Sequence, residues 1–157
     1  MTSPTSAHSA LALLLFLALS FSAALGGVLF PPGAEYAQLI RPAFAPPNWL
    51  FGPVWTALYI MMAVAAWRVW QRAGAWSAPL RTWYLQLALN AAWTPLFFGL
   101  GWRGVALLEM IALWTAILIT ALRFRPHSRT AFWLLLPYLG WVSFALVLNA
   151  GFWWLNR

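Results

Sequence analysis

The residues best placed to do chemistry in this chain are aromatic rings and amides that recur at helical spacing. Gln86, Asn90, Trp93 and Phe97 follow one another at i, i+4, i+7 and i+11. That spacing puts them on one face of a helix. Tyr138, Trp141, Ala145, Asn149 and Phe152 share a second face, and Trp55, Tyr59 and Met62 a third. Asn and Gln in an apolar medium turn inward to find hydrogen-bond partners, so these faces should meet. An interior of aromatic walls with a few amides suits a flat, conjugated, mainly apolar ligand. The alternative is that Gln86, Asn90 and Asn149 serve only to hold helices together.

Other chemistry is missing from the sequence. With no cysteine, thiolate nucleophiles, disulfides and Cys-ligated metals are excluded. The two histidines, His8 and His127, lie outside the apolar segments, so no bis-His haem is built at membrane depth. No His/Asp/Glu cluster with metal-ligand spacing, no paired carboxylates and no Gly-rich phosphate loop occur. Glu109 is the one ionisable group well inside an apolar segment. It is either a functional group or a structural one, neutral or paired with an arginine.

The elements that must position these residues follow from composition. The 157 residues are 64% hydrophobic and 7% charged, against about 25% charged in soluble domains. Five apolar segments of spanning length occupy about 9–30, 49–70, 80–100, 104–122 and 131–154 within a single 1–157 domain. The sequence therefore predicts an all-α membrane protein with five transmembrane helices. The first segment has no basic region before it and a long apolar run, so it is expected to be a retained helix rather than a signal peptide. The one long link, 31–48, is Pro-rich yet carries Tyr36, Leu39, Ile40 and Phe44. It is expected to pack over one end of the bundle.

All nine basic residues are arginines, and they are scattered singly, which argues against nucleic acid. Arg68, Arg72, Arg81, Arg123, Arg125 and Arg129 fall on one side of the predicted bundle, and Arg41, Arg103 and Arg157 on the other. The bias predicts an inside N-terminus. Pro95 and Pro137 should free the carbonyls of Ala91 and Trp133 and bend their helices. Ala88 and Ala92 form a small-xxx-small pair roughly opposite Asn90, a face for homodimerisation.

Three stretches, PPNWLFGPVWTALYIMM (46–62), LQLALNAAWTPLFFG (85–99) and PYLGWVSFALVLN (137–149), resemble in content, order and spacing the translocator protein / tryptophan-rich sensory protein (TspO/MBR) family. That family includes the mitochondrial peripheral-type benzodiazepine receptor. The resemblance covers nearly the whole chain. It implies a five-helix membrane protein, often a dimer, that binds protoporphyrin IX or haem, sterols, and synthetic isoquinoline carboxamides and benzodiazepines. It implies no obligatory cofactor. Its pocket residues fall on Trp55, Asn90, Trp93, Trp141, Ala145 and Asn149, and its ligand-covering tyrosine on Tyr36. The residue pattern adds Tyr59, Gln86, Phe97 and Tyr138. On this reading the link 31–48 is a lid. Pro46 and Pro47 hold it extended. Gly52 and Pro53 permit close approach and start the next helix. The C-terminal stretch LVLNAGFWWLNR has Phe152 or Trp153 where the animal cholesterol pattern needs Tyr, which argues against cholesterol.

Three functions follow from the resemblance. The first is tetrapyrrole binding with a transport or sensory role in a bacterial cell envelope, with Arg41 or Arg103 pairing the ligand's propionates. The second is light-dependent degradation of the porphyrin, as some bacterial relatives perform, with Trp55 and Trp141 involved. The third is transport of sterols or other lipids, or a channel.

Overall fold

The computed structural model describes residues 6–157, so the first five positions of the predicted domain lie outside the described residues. The helices are α1 (Ser6–Ser22), α2 (Leu25–Leu29), α3 (Ala34–Ala37), α4 (Phe51–Ala73), α5 (Ala78–Thr94), α6 (Arg103–Phe124) and α7 (Arg129–Leu155). No strand occurs among the described residues. The stretches Ser6–Leu29, Asn48–Ala73, Arg103–Phe124 and Arg129–Leu155 are long and apolar enough to cross a membrane.

Two of the predicted segments differ from that expectation. The first is not one continuous helix. It turns at Ala23 and Ala24 and resumes as α2. Gly26 and Gly27, just inside α2, lower helix propensity in this region, and the turn lets Phe30 pack on Gly99 beyond the end of α5. A Cβ on Gly99 would lie 2.7 Å from the Phe30 ring. The third segment ends early as an α-helix. α5 has 17 residues and stops at Thr94, and Pro95–Gly99 forms a π-helical turn. Proline cannot donate to the preceding turn, and the chain closes instead through Leu100 N to Pro95 O at 2.9 Å. At Pro137, by contrast, α7 runs on without interruption to Leu155.

The packing order places the interior. α1 lies on α4, α4 on α7, α7 on α6 and α6 on α5, while α2 reaches back to α5. Trp83, Tyr138, Met62 and Leu135 are fully buried where these helices meet, and Phe16 sits edge-on to Trp83 at 5.5 Å. At one end, Arg72 Nη1 donates to His127 O and Trp67 Nε1 donates to Ser9 O. These bonds bring the start of α1, the end of α4 and the α6–α7 turn together.

The 31–48 link crosses the opposite end. Asn156 clamps it at two points, accepting from Ile40 N at 2.9 Å and donating to Ile40 O at 3.0 Å. Arg103 pairs with Glu35. Pro42 and Phe44 seat against Gly151, where a Cβ would come within 2.8 Å of Pro42 Cγ. Gly52, by contrast, needs no close approach, since a Cβ there meets nothing within 4 Å. The proposed steric role of that glycine is therefore corrected.

Gly151 and Gly140 make a controlled pair. Each gains about 1 kcal/mol of helix propensity on becoming alanine. At Gly151 the rigid Pro42 ring opposes this with an overpacking cost of about 1–3 kcal/mol, whereas a Cβ at Gly140 meets open space. Thermal unfolding in detergent should therefore show G140A at or above the wild-type midpoint and G151A below it.

Candidate functional site

A cavity of about 380 Å³ lies beneath the link. Its walls come from α4, α5, α6 and α7, the α1–α2 region and the link. α4 supplies Phe51, Gly52, Trp55 and Tyr59. α5 and the π turn supply Asn90, Trp93, Thr94, Phe97 and Phe98. α7 supplies Trp141, Val142, Ala145, Leu148, Asn149 and Phe152. Met110 and Leu113 of α6 close one side, Ala23 and Ala24 of the α1–α2 turn with Gly27 of α2 another, and Pro32, Tyr36 and Asn48 of the link the top.

The aromatic rings form three packed groups. Trp93 stacks on Phe97 with centroids 4.8 Å apart and planes at 22°. Tyr36 reaches down from the link to Phe97, Phe98 and Phe152 at 6.4, 5.1 and 5.6 Å. On the other side Trp55 lies on Tyr59 at 5.4 Å, and Phe51 meets Trp141 edge-on at 5.7 Å. Both Phe97 and Phe98 line the cavity although they are adjacent in sequence, and they do so within the π turn.

The amides fasten these walls. Tyr59 OH donates to Asn90 Oδ1 at 3.1 Å, Asn90 Nδ2 donates to Tyr138 OH at 2.9 Å, and Tyr138 OH donates to Gln86 Oε1 at 3.0 Å. One chain of side-chain hydrogen bonds thus joins α4, α5 and α7. Nearer the link, Trp93 Nε1 donates to Asn149 Oδ1 at 2.9 Å, and Asn149 Nδ2 donates to Arg103 O at 3.0 Å. This second set joins α5, α7 and the start of α6. Asn90 and Asn149 therefore both line the cavity and hold helices together.

The residues singled out from the sequence separate into three groups. Tyr36, Trp55, Tyr59, Asn90, Trp93, Phe97, Trp141, Ala145 and Asn149 come together around the cavity. Gln86 and Tyr138 are buried behind it, and of this chain only Asn90 and Tyr59 reach the wall. Arg41 and Arg103 are outside the lining. Arg41 donates to Asn48 Oδ1 and Pro46 O, both at 3.0 Å, and Arg103 is held by Glu35. Glu109 also lies outside the lining, and both its carboxylate oxygens are buried with no hydrogen-bond partner among the described residues. Ala88 is exposed and Ala92 half-buried on the outer side of α5.

Several contributions lie outside the residues the sequence singles out, among them the lining residues Phe51, Thr94, Phe98, Val142 and Leu148. Met110 and Leu113 sit on an almost wholly apolar helix, where no polar contrast marks an inner face. The α1–α2 turn was signalled only by Gly26-Gly27. Asn156, which fixes the link, carries no local signal at all.

Several apolar helices of spanning length around an aromatic cavity, with a structured link across its mouth, define a multi-pass helical membrane protein with an interior cavity. The chain belongs to the TspO/MBR family, whose model matches residues 10–155. It is 43% identical over 123 residues to "Tryptophan-rich protein TspO" of Archaeoglobus fulgidus, covering 77% of this chain and 79% of that one. It is 38% identical over 146 residues to the protein of the same name from Chlorobaculum tepidum, covering 88% and 92%. To the human "Translocator protein" it is 38% identical over 122 residues, covering 75% and 72%.

Asn90 is the joint of the buried chain. Replacing it with leucine leaves the Tyr59 hydroxyl without its acceptor and removes the donor to Tyr138. Leaving a buried polar group unpaired costs about 1–3 kcal/mol. N90L should lower the thermal midpoint in detergent clearly, and more than a substitution at exposed Leu85 on the same helix.

Proposed function

We propose that the protein binds a flat, conjugated tetrapyrrole such as protoporphyrin IX or haem in this cavity, and that binding serves a sensory or transport role in the membrane. The observation that carries the reading is the cavity wall itself. Indole and phenyl rings from α4, the π turn and α7 face one space, whose asparagine amides and Tyr59 hydroxyl are engaged in the protein's own hydrogen bonds, while Trp141 Nε1 has no hydrogen-bond partner among the described residues. Such a wall recognises an extended π surface by stacking and burial, and no histidine is part of it. The names of the relatives point the same way in broad terms. A protein of Cereibacter sphaeroides that is 38% identical over 136 residues is a "Tryptophan-rich sensory protein", and the mammalian relatives are translocator proteins.

The rest of the arrangement fits this role. The link 31–48 acts as the lid, with Tyr36 against the ring cluster below. α5 together with its π turn makes the fifth crossing, since Ala78–Gly99 runs alongside the full-length α6. Ala88 and Ala92 offer a flat outer face for a second copy. A propionate at the rim meets Arg103 by replacing Glu35, one carboxylate for another. Glu35 is 71% exposed and Arg103 only 15%, so Glu35 is the partner free to leave.

The test is a titration of the detergent-purified protein with protoporphyrin IX in the dark, followed by porphyrin absorbance. Saturable binding should weaken by about tenfold in W55L/W141L, which removes two stacking faces worth about 0.5–1.5 kcal/mol each. An affinity unchanged by that double substitution would mean that the porphyrin binds elsewhere.

A further inference from the structure

The end of the molecule away from the link holds a second, open basin of about 540 Å³, lined by Arg72, Arg125, Pro126, His127, Ser128 and Arg129. Arg72 closes the last turn of α4, and its guanidinium donates to His127 O, which fixes the α6–α7 turn against α4. Arg125 extends over the Phe132 ring at 5.8 Å. Arg129 opens α7, a helix of 27 residues capped by Ser128 Oγ accepting from Ala131 N at 3.2 Å. The positive end of that helix dipole adds to the three guanidinium charges.

No carboxylate of the described chain balances them. The two glutamates are Glu35, paired with Arg103 beside the link, and Glu109, in the half of α6 nearer the link. The same end also carries Arg68, Arg81 and Arg123. The basin therefore has no counter-anion within the described protein. Its level identifies the source of one. α4 and α6 end here and α7 begins here. Trp76 and Trp133, both largely exposed, flank the region. Exposed tryptophans at helix ends mark the headgroup layer of a bilayer. Phosphodiester groups of lipids occupy that layer, and basic pockets between membrane helices on the arginine-rich side suit anionic headgroups.

We propose that this basin is a binding site for the phosphodiester headgroup of an anionic phospholipid, with Arg125 and Arg129 as its principal contacts and Arg72 as the group that shapes it. The site is separate from the aromatic cavity and does not depend on the reading of that cavity. Bidentate guanidinium–phosphate contacts supply the recognition. A bound lipid would hold the ends of α4, α6 and α7 together.

The full-length protein in a neutral detergent is titrated with phosphatidylglycerol and, separately, phosphatidylcholine of the same acyl chains. Lipid retained per protein is read by native mass spectrometry. Wild type should retain phosphatidylglycerol in preference to phosphatidylcholine. R125Q/R129Q should weaken that binding by about fivefold per arginine removed, with R129Q alone, an exposed and conservative change, as the second variant. R81Q/R123Q removes the same charge from the same end outside the basin and should keep the preference. Three results would each overturn the proposal. They are equal retention of the two lipids, equal loss in both double variants (a diffuse surface field), and full displacement of phosphatidylglycerol by millimolar inorganic phosphate, which would make the basin a site for a soluble anion.

Discussion

In a bundle this apolar, a buried polar side chain finds its partner on another side chain or on the backbone, and the bonds that cross between helices organise the interior. Water cannot satisfy a hydroxyl or amide at such depth, and each group left alone carries a large penalty. Tyr59, Asn90, Tyr138 and the Gln86 amide oxygen meet that demand in one continuous chain, while Gln86 Nε2 has no partner among the described residues. Trp93, Asn149 and the Arg103 carbonyl meet it in a second set. Because each bond joins two different helices, satisfying the hydrogen bonds fixes the relative rotation and depth of α4, α5 and α7. Hydrophobic burial cannot supply that specificity, since lipid is as apolar as the core.

The same fixation opens the cavity. The polar chain ties the helices at mid-depth, while the π turn at Pro95 and the break between α1 and α2 alter their course nearer the link. The helices cannot close over that end, and aromatic rings line the gap. The link covers it through three kinds of contact: a two-point amide clamp from Asn156, the Arg103–Glu35 pair, and the close fit of Pro42 on Gly151. Gly151 lies in the last turns of α7 and Asn156 directly follows that helix, so the helix that carries Trp141 and Asn149 also fixes the position of Tyr36.

Much of this was legible because the helical period is local. Gln86, Asn90, Trp93 and Phe97 declare a face by spacing alone, and the α7 stripe does likewise. What escaped lacked contrast or was non-local. The first apolar segment reads as one helix because its hydropathy barely changes across the Ala23–Ala24 turn. Met110 and Leu113 are invisible among similar residues. The third segment looks long enough to span as one α-helix, and only Pro95 hints that its last turn changes type. Gly52 looked like a packing residue yet faces open space, because a glycine reports a freedom and not the use made of it. Arg41 and Arg103 were placed on the correct side of the bundle, but their partners come from the link, and sequence spacing could not foresee those pairings.

The central claim is that the space enclosed by Trp55, Trp93, Trp141 and Tyr36 is where the ligand binds. An experimental structure of the protein with protoporphyrin IX tests it most directly. The account predicts the macrocycle beneath the 31–48 link, its faces against the tryptophans of α4 and α7 and its carboxylates toward Arg103. A macrocycle found on the lipid-facing surface or at the arginine-rich end, with the aromatic cavity unchanged, would contradict it.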